Sequence, residues 1–263
     1  AQSHHNHHMM DQWIGKVAIV TGAGADVGAA IAQALVHHGM IVVGLGMRQE
    51  KIQALADQLS KANEPGKLYA VKTDLKKEED ILAAFAWIEK ELGGADVIVN
   101  NAGTGSLDTI QDGVTENWRN MFDLNLLCVC ICTREYLKSM DQRKNQRGHI
   151  FIINSIAGYE IISGHGGVYT GTKYAVKAVA QCLRRELAEK NSSIRVTSVS
   201  PGLTRTELTE DFLEEIEDLD DHYGRLESSD VAQALLDVLS ASPLAQICEV
   251  ILTPVPSANQ LVF

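Results

Sequence analysis

Seven short apolar runs alternate with amphipathic segments along the chain, and this alternation limits the fold more than any single motif. The runs fall at 16–21, 40–45, 68–73, 96–99, 149–153, 194–199 and 247–252. Most are continuous and rich in Val and Ile, as strands are when both sheet faces are covered. Between them, apolar residues recur three and four positions apart, the spacing of one helix face. Examples are Ile31, Leu35 and Val36; Ile52, Leu55, Ala56 and Leu59; and Ile81, Ala84, Phe85 and Ile88. Strand–helix alternation of this kind predicts an α/β fold: a single doubly wound Rossmann domain with a seven-stranded, mostly parallel sheet and helices on both faces. No linker and no internal repeat divides 10–263, so one domain is expected there. In such a sheet ligands sit beyond the carboxyl ends of the strands, near the switch point.

Other expectations are coarser. A polar loop at 104–115 leads into one long helix at 116–140. Another helix runs through Tyr169 to about residue 190, and 204–224 is acidic and weakly helical. A last helix at 228–240 has Ser228 or Ser229 as a candidate N-cap. Residues 1–9 contain His4-His5-Asn6-His7-His8 and read as a purification tag rather than a metal site.

A formal net charge of −11 argues against nucleic acid and anionic membrane as partners. No apolar run approaches the ~20 residues of a membrane-spanning helix. Of the five cysteines, Cys128, Cys130 and Cys132 alternate in an apolar stretch and read as buried helix thiols, with metal or redox chemistry the alternative. A reducing, cytoplasmic location is expected.

The first strand runs into Gly22-Ala23-Gly24-Ala25-Asp26-Val27-Gly28 and then a helix. Glycines let a ligand approach the backbone, while free amides and the helix dipole favour an anion, so this turn suits a dinucleotide pyrophosphate. An acid at the end of the second strand would bind the ribose hydroxyls of NAD, and a base would meet the 2′-phosphate of NADP. Here Gly46-Met47-Arg48 precedes Glu50, so Arg48 points to NADP, with NAD the weaker expectation.

Tyr169 and Lys173 are four positions apart and share a face if a helix runs through them. A phenol titrates near ~10, and a nearby ammonium favours its ionised form. Ser155 can donate a hydrogen bond to an oxygen gaining negative charge. Together they suit proton transfer at an alcohol or carbonyl oxygen.

These motifs, taken in order, resemble the short-chain dehydrogenase/reductase family: Thr21-Gly22 to Gly28, Asp74, Asn100-Asn101-Ala102-Gly103, Asn125, Ser155, Tyr169 with Lys173, and Pro201-Gly202. Within it, Asn117-Trp118-Arg119-Asn120-Met121, Cys130-Ile131-Cys132-Thr133-Arg134-Glu135 and the stretch from Arg195 to Leu203 resemble the insect farnesol-dehydrogenase-like group and its vertebrate relatives. The resemblance implies Tyr169 as general acid/base, and Lys173 on the nicotinamide ribose. It implies Ser155 orienting the substrate oxygen and Asn125 holding a relay water. Asp74 and Leu75 would contact the adenine, and Asn101, Ala102 and Gly103 would line the cofactor and support the sheet. Pro201, Gly202, Leu203 and Thr204 would contact the cofactor, with Thr206 on the carboxamide of its nicotinamide. Bland alternatives stand beside these: Asn125 bonding helix carbonyls, Asp74 capping a turn, Asn101 forming one.

Two positions depart from the family pattern. Position 26, where glycine is expected, is Asp26. Its side chain either caps the helix and turns to backbone amides, weakens cofactor binding, or marks a site that no longer turns over. The last case would leave a dinucleotide-binding sensor or carrier. The second departure is Met47, where relatives often carry the arginine found here at 48. A substrate pocket is expected between Ser155, Tyr169, the 157–168 loop and the segment after Gly202, with Ile156, Ala157, Tyr159, Ile161, Ile162 and Leu203 as walls and 203–227 as a lid. Apolar walls suit a lipophilic alcohol, aldehyde or ketone, and the resemblance implies farnesol or a related isoprenoid. It also implies a homodimer or homotetramer paired through the helices at 116–140 and around Tyr169.

Overall fold

The computed structural model describes residues 9–215 and 223–257. Seven strands form one sheet: β1 Val17–Thr21, β2 Ile41–Gly46, β3 Lys67–Lys72, β4 Val97–Asn100, β5 His149–Ile153, β6 Arg195–Pro201 and β7 Glu249–Leu252. Their order is β3-β2-β1-β4-β5-β6-β7. Every pairing is parallel, so the expected mostly parallel sheet is parallel throughout. The order reverses between β1 and β4, and their registers align Ala18 with Val97 and Val20 with Val99. The crevice beyond these two strands is the switch point.

Alternation along each strand feeds two cores. Ala18 and Val20 of β1 pack into one, with Val99 and Phe151. Val17 and Ile19 pack into the other, with Ile98, Ile150 and Ile152. Helices α1 (Asp26–His37), α2 (Gln49–Lys61) and α8 (Ser228–Leu239) cover the first face through Ile31, Leu35, Ile52, Leu59, Val231 and Leu235. Helices α3 (Glu78–Leu92), α5 (Cys128–Gln142) and α6 (Gly167–Glu189) cover the second through Ile81, Phe85, Cys132, Tyr136, Val176 and Leu187. Each fully buried Leu, Ile or Val side chain contributes about 1.5–3 kcal/mol, so both faces are firmly held. No helix among the described residues is long and apolar enough to cross a membrane.

The structure corrects several local expectations. The long helix at 116–140 is three pieces: α4 (Thr115–Phe122), a π-helical turn at Asp123–Leu127, and α5. A π turn inserts one residue into the helical repeat, which apolar spacing does not reveal. Cys128 and Cys132 are buried with sulfurs 3.9 Å apart, but Cys130 is exposed. Two residues along a helix turn roughly 200°, so an alternating triplet cannot share one face. The N-cap of α8 is Glu227, not Ser228 or Ser229: its side chain and that of Asp230 close a capping box, with Glu227 N donating to Asp230 Oδ2 at 2.8 Å. The acidic stretch holds helix α7 (Glu207–Glu215). The remainder of the expected lid at 216–222, and the histidine cluster of the expected tag, lie outside the described residues.

Candidate active site

The carboxyl ends of β1 and β4 are tied directly together. Asn101 Nδ2 donates to Thr21 O and Gly22 O at 3.1 and 3.2 Å. Thr21 Oγ1 accepts from the amides of Asn101 and Ala102, both at 3.0 Å. Asn101 is therefore a brace between two loops, more than a turn former. Gly28 sits under this brace: a Cβ there would lie 2.1 Å from Gly22 O. No larger residue fits. Gly22 has φ of +68°, which glycine adopts without strain.

Above the brace lies a cleft of about 520 Å³. It is lined by Gly22, Gly24, Asp26, Val27, Arg48, Asp74, Leu75, Asn101, Ala102, Gly103 and Thr206. A dinucleotide needs a backbone cradle at a helix start, and the glycine turn offers one, with Arg48 on the same cleft wall. Asp74 also takes its bland role, since its Oδ1 accepts from Lys76 N at 3.0 Å. Gly28 lies behind the cleft, and Pro201, Gly202, Leu203 and Thr204 are not among its lining residues. They tie the segment before α7 to the sheet end and to the chain near Leu226 instead: Gly202 N donates to Leu252 O at 2.7 Å, Leu226 N donates to Leu203 O at 2.9 Å, and the buried Thr204 hydroxyl donates to Gly202 O at 2.9 Å. Thr206 shares a hydroxyl bond with Thr209 at 3.1 Å in the first turn of α7.

Asp26 resolves in an unexpected way. Its φ is +51°, so the backbone needs the left-handed conformation that explains a glycine at this position. Aspartate tolerates that conformation better than most residues. The N-cap of α1 is Ala25, with Asp26 the first helical residue. The carboxylate does turn to a backbone amide, but a distant one: Oδ2 accepts from Glu207 N at 3.0 Å. Arg48 is also engaged, with Nη1 3.2 Å from Glu207 Oε2. Glu207 has no motif that marks it for this cleft, because its approach depends on how the 203–207 segment folds back.

Beside the cleft, the π turn delivers Asn125 into the interior. Its Oδ1 accepts from Thr104 N at 2.9 Å, while Nδ2 donates to Thr104 O at 2.8 Å and Thr172 Oγ1 at 3.1 Å. Asn125 thus links the β4 loop to α6, and its partners are not carbonyls of its own helix. Ser155 caps a 3-10 turn at Ile156–Gly158, its Oγ accepting from Ala157 N at 3.1 Å. Tyr169 and Lys173 lie on one face of α6, with Nζ 5.7 Å from the phenol ring centroid. Lys173 Nζ also stands 3.9 Å from where a Gly103 Cβ would be, at the wall of the cleft.

The charges differ from expectation. Burial pushes the Tyr169 phenol up from its ordinary value, and a hydrogen bond with Ser155 opposes the rise. Burial also lowers Lys173, to about 8. Tyr169 therefore holds its proton at neutral pH.

The expected apolar pocket is only partly present. Ile156 and Ala157 are buried in the core, while Ile161 and Ile162 are exposed. Tyr159 lies under Lys177 Nζ at 4.5 Å, and burial pushes its phenol up to about 12. A smaller polar hollow of about 250 Å³ opens instead among Thr104, Ser106, Asp108, Asn117, Asn120 and Asp211. The 104–115 loop builds it, and nothing in that loop's composition marked it.

The short chain dehydrogenase family model matches residues 16–217. A dehydrogenase/reductase SDR family member 11 from Gallus gallus is 42% identical over 254 residues, 93% of this chain and 98% of that protein. A farnesol dehydrogenase from Aedes aegypti is 40% identical over 248 residues, 94% of this chain and 98% of that protein. Among solved structures, the closed form of a serine dehydrogenase complexed with NADP+ matches with a TM-score of 0.81 and 29% identity, covering 94% of this chain and 99% of that one. With the switch-point cleft and the Tyr169 helix already side by side, the chain belongs to the short-chain dehydrogenase family and is an oxidoreductase of that family.

Proposed function

We propose that the protein is an NADP(H)-dependent oxidoreductase that interconverts a lipophilic alcohol, an isoprenoid such as farnesol, with its aldehyde or ketone. The observation that carries this is the meeting of Ser155, Tyr169, Lys173 and Asn125 beside the glycine-braced cleft. When bound, the nicotinamide supplies or takes up a hydride. In the reducing direction the Tyr169 hydroxyl donates a proton to the carbonyl oxygen, and the Ser155 hydroxyl donates a hydrogen bond to the same oxygen. Lys173 stays mostly protonated near pH 7, since its value of about 8 lies above that pH. It can hold ribose hydroxyls, and it would help Tyr169 recover a proton. Asn125, with both ends of its amide engaged, keeps Thr172 and the Thr104 backbone beside Lys173.

Arg48 and the neighbouring Lys51 support a phosphorylated ribose, and no acid precedes Glu50 at this strand end. The isoprenoid class rests on the likeness to the Aedes aegypti protein. The five free cysteines of this chain favour a cytoplasmic location. An open groove between α5 and α6, lined by Val129, Leu137, Val179 and Leu183, favours a homodimer or homotetramer.

A Tyr169→Phe variant should bind NADPH as the parent does and lose turnover by roughly 10²–10⁴-fold. NADPH oxidation with farnesal and shorter aldehydes measures this, and retained turnover would remove Tyr169 from the proton step. The same panel tests the substrate class.

A further inference from the structure

We propose that Glu207 is a specificity-determining residue of the cofactor cleft: its carboxylate occupies the anion position that Arg48 and Lys51 offer, and a 2′-phosphate must take its place. The proposal rests on the reading of the cleft as an NADP(H) site.

Four contacts converge on one residue. Arg48 Nη1 lies 3.2 Å from Glu207 Oε2 and 3.4 Å from Oε1. Lys51 Nζ lies 3.7 Å from Oε1. Glu207 N donates to Asp26 Oδ2 at 3.0 Å. The backbone of Glu207 is thus fixed on the pyrophosphate turn while its side chain reaches the ribose end. Glu207 also begins α7, so the lid helix is fastened across the cleft at its first residue.

The fastening is strong enough to compete and weak enough to exchange. Side-chain exposure is 45% for Arg48, 48% for Lys51 and 58% for Glu207, so water screens the pairs. A phosphomonoester brings up to two charges and three acceptor oxygens against one charge and two oxygens. It therefore displaces the carboxylate. An unphosphorylated ribose carries no charge to do so, and it leaves Glu207 on its two cations. Discrimination between the two cofactors is then smaller than Arg48 alone would provide.

The test is direct binding of NADPH and of NADH, by titration calorimetry, to the parent and to Glu207→Gln. The glutamine keeps the backbone bond to Asp26 and removes the competing charge. NADPH should bind roughly two- to fivefold tighter, the scale of an exposed ion pair, with NADH unchanged or weaker. Asp211→Asn serves as the charge control, since Asp211 also lines the cleft while the ion pairs of Arg48 and Lys51 go to Glu207. Unchanged NADPH affinity in Glu207→Gln overturns the proposal, as does an equal gain for both cofactors or an equal gain in Asp211→Asn. If instead the parent prefers NADH and Arg48→Ala alters neither affinity, the NADP(H) reading itself fails and takes this proposal with it.

Discussion

Lys173 carries a cost that its position explains. Burial lowers its pKa to about 8, against an ordinary lysine value near ~10.4. Between these values the unfolded chain holds a proton that the folded chain has lost, so stability rises with pH across that window. Below pH 8 the folded protein bears the full cost of a buried ammonium. Lys173→Met should therefore melt roughly 2–8 °C higher than the parent at pH 7, with the gap shrinking as pH rises from 8 towards 10. Thermal melts at both pH values measure this, and a constant or absent gap counts against it. The shared face of Tyr169 and Lys173 was legible from their spacing, because a helix places i and i+4 together. The direction of the Tyr169 shift was not, because burial depends on what packs around the ring. Asp26 shows the same divide. Its departure from glycine was visible in the chain, but its +51° backbone and its bond to Glu207 required the folded segment 181 positions away.

At the scale of elements, periodicity located every strand to within two residues, because buried strands are compact apolar runs. Helix ends were less clear. The α8 cap shows why: serine is a common cap, but here two acids make the reciprocal bonds. Asp230→Ala should cost about 1 kcal/mol, or a fall of roughly 2–4 °C in melting temperature, while Ser228→Ala should change little. A larger loss in Ser228→Ala would return the cap to the serine. The substrate pocket was the least legible element. Ile156 and Ala157 have the apolar character of a wall, but a 3-10 turn capped by Ser155 folds them inward. Composition tells what could line a cavity, and the backbone path decides what does.

For the whole molecule, the doubly wound arrangement followed from alternation alone, and the site followed from its rule that ligands gather at the strand carboxyl ends. Assembly is a separate question of surface. Cys130 on α5 and Cys182 on α6 are exposed and face the same groove of about 800 Å³. Cys130→Glu with Cys182→Glu should leave the monomer fold intact and shift the protein to a smaller species in sedimentation velocity. Placing like charges in the centre of an interface between copies is costly. An unaltered sedimentation coefficient, with the parent already a multimer, would move the interface elsewhere.

The π turn at Asp123–Leu127 sets a phase as well as a position. One additional residue rotates everything beyond it by roughly 100°, and α5 meets the sheet only with that rotation included. Tyr136, buried with its hydroxyl donating to Asp96 O at 2.7 Å, depends on this setting as much as Asn125 does. Deleting any one residue of the turn would give a more regular helix and swing Tyr136, Cys132 and Met140 off the core. The irregularity is thus a shared gear tooth: the polar contact to Thr172 and the apolar seating of α5 can change only together.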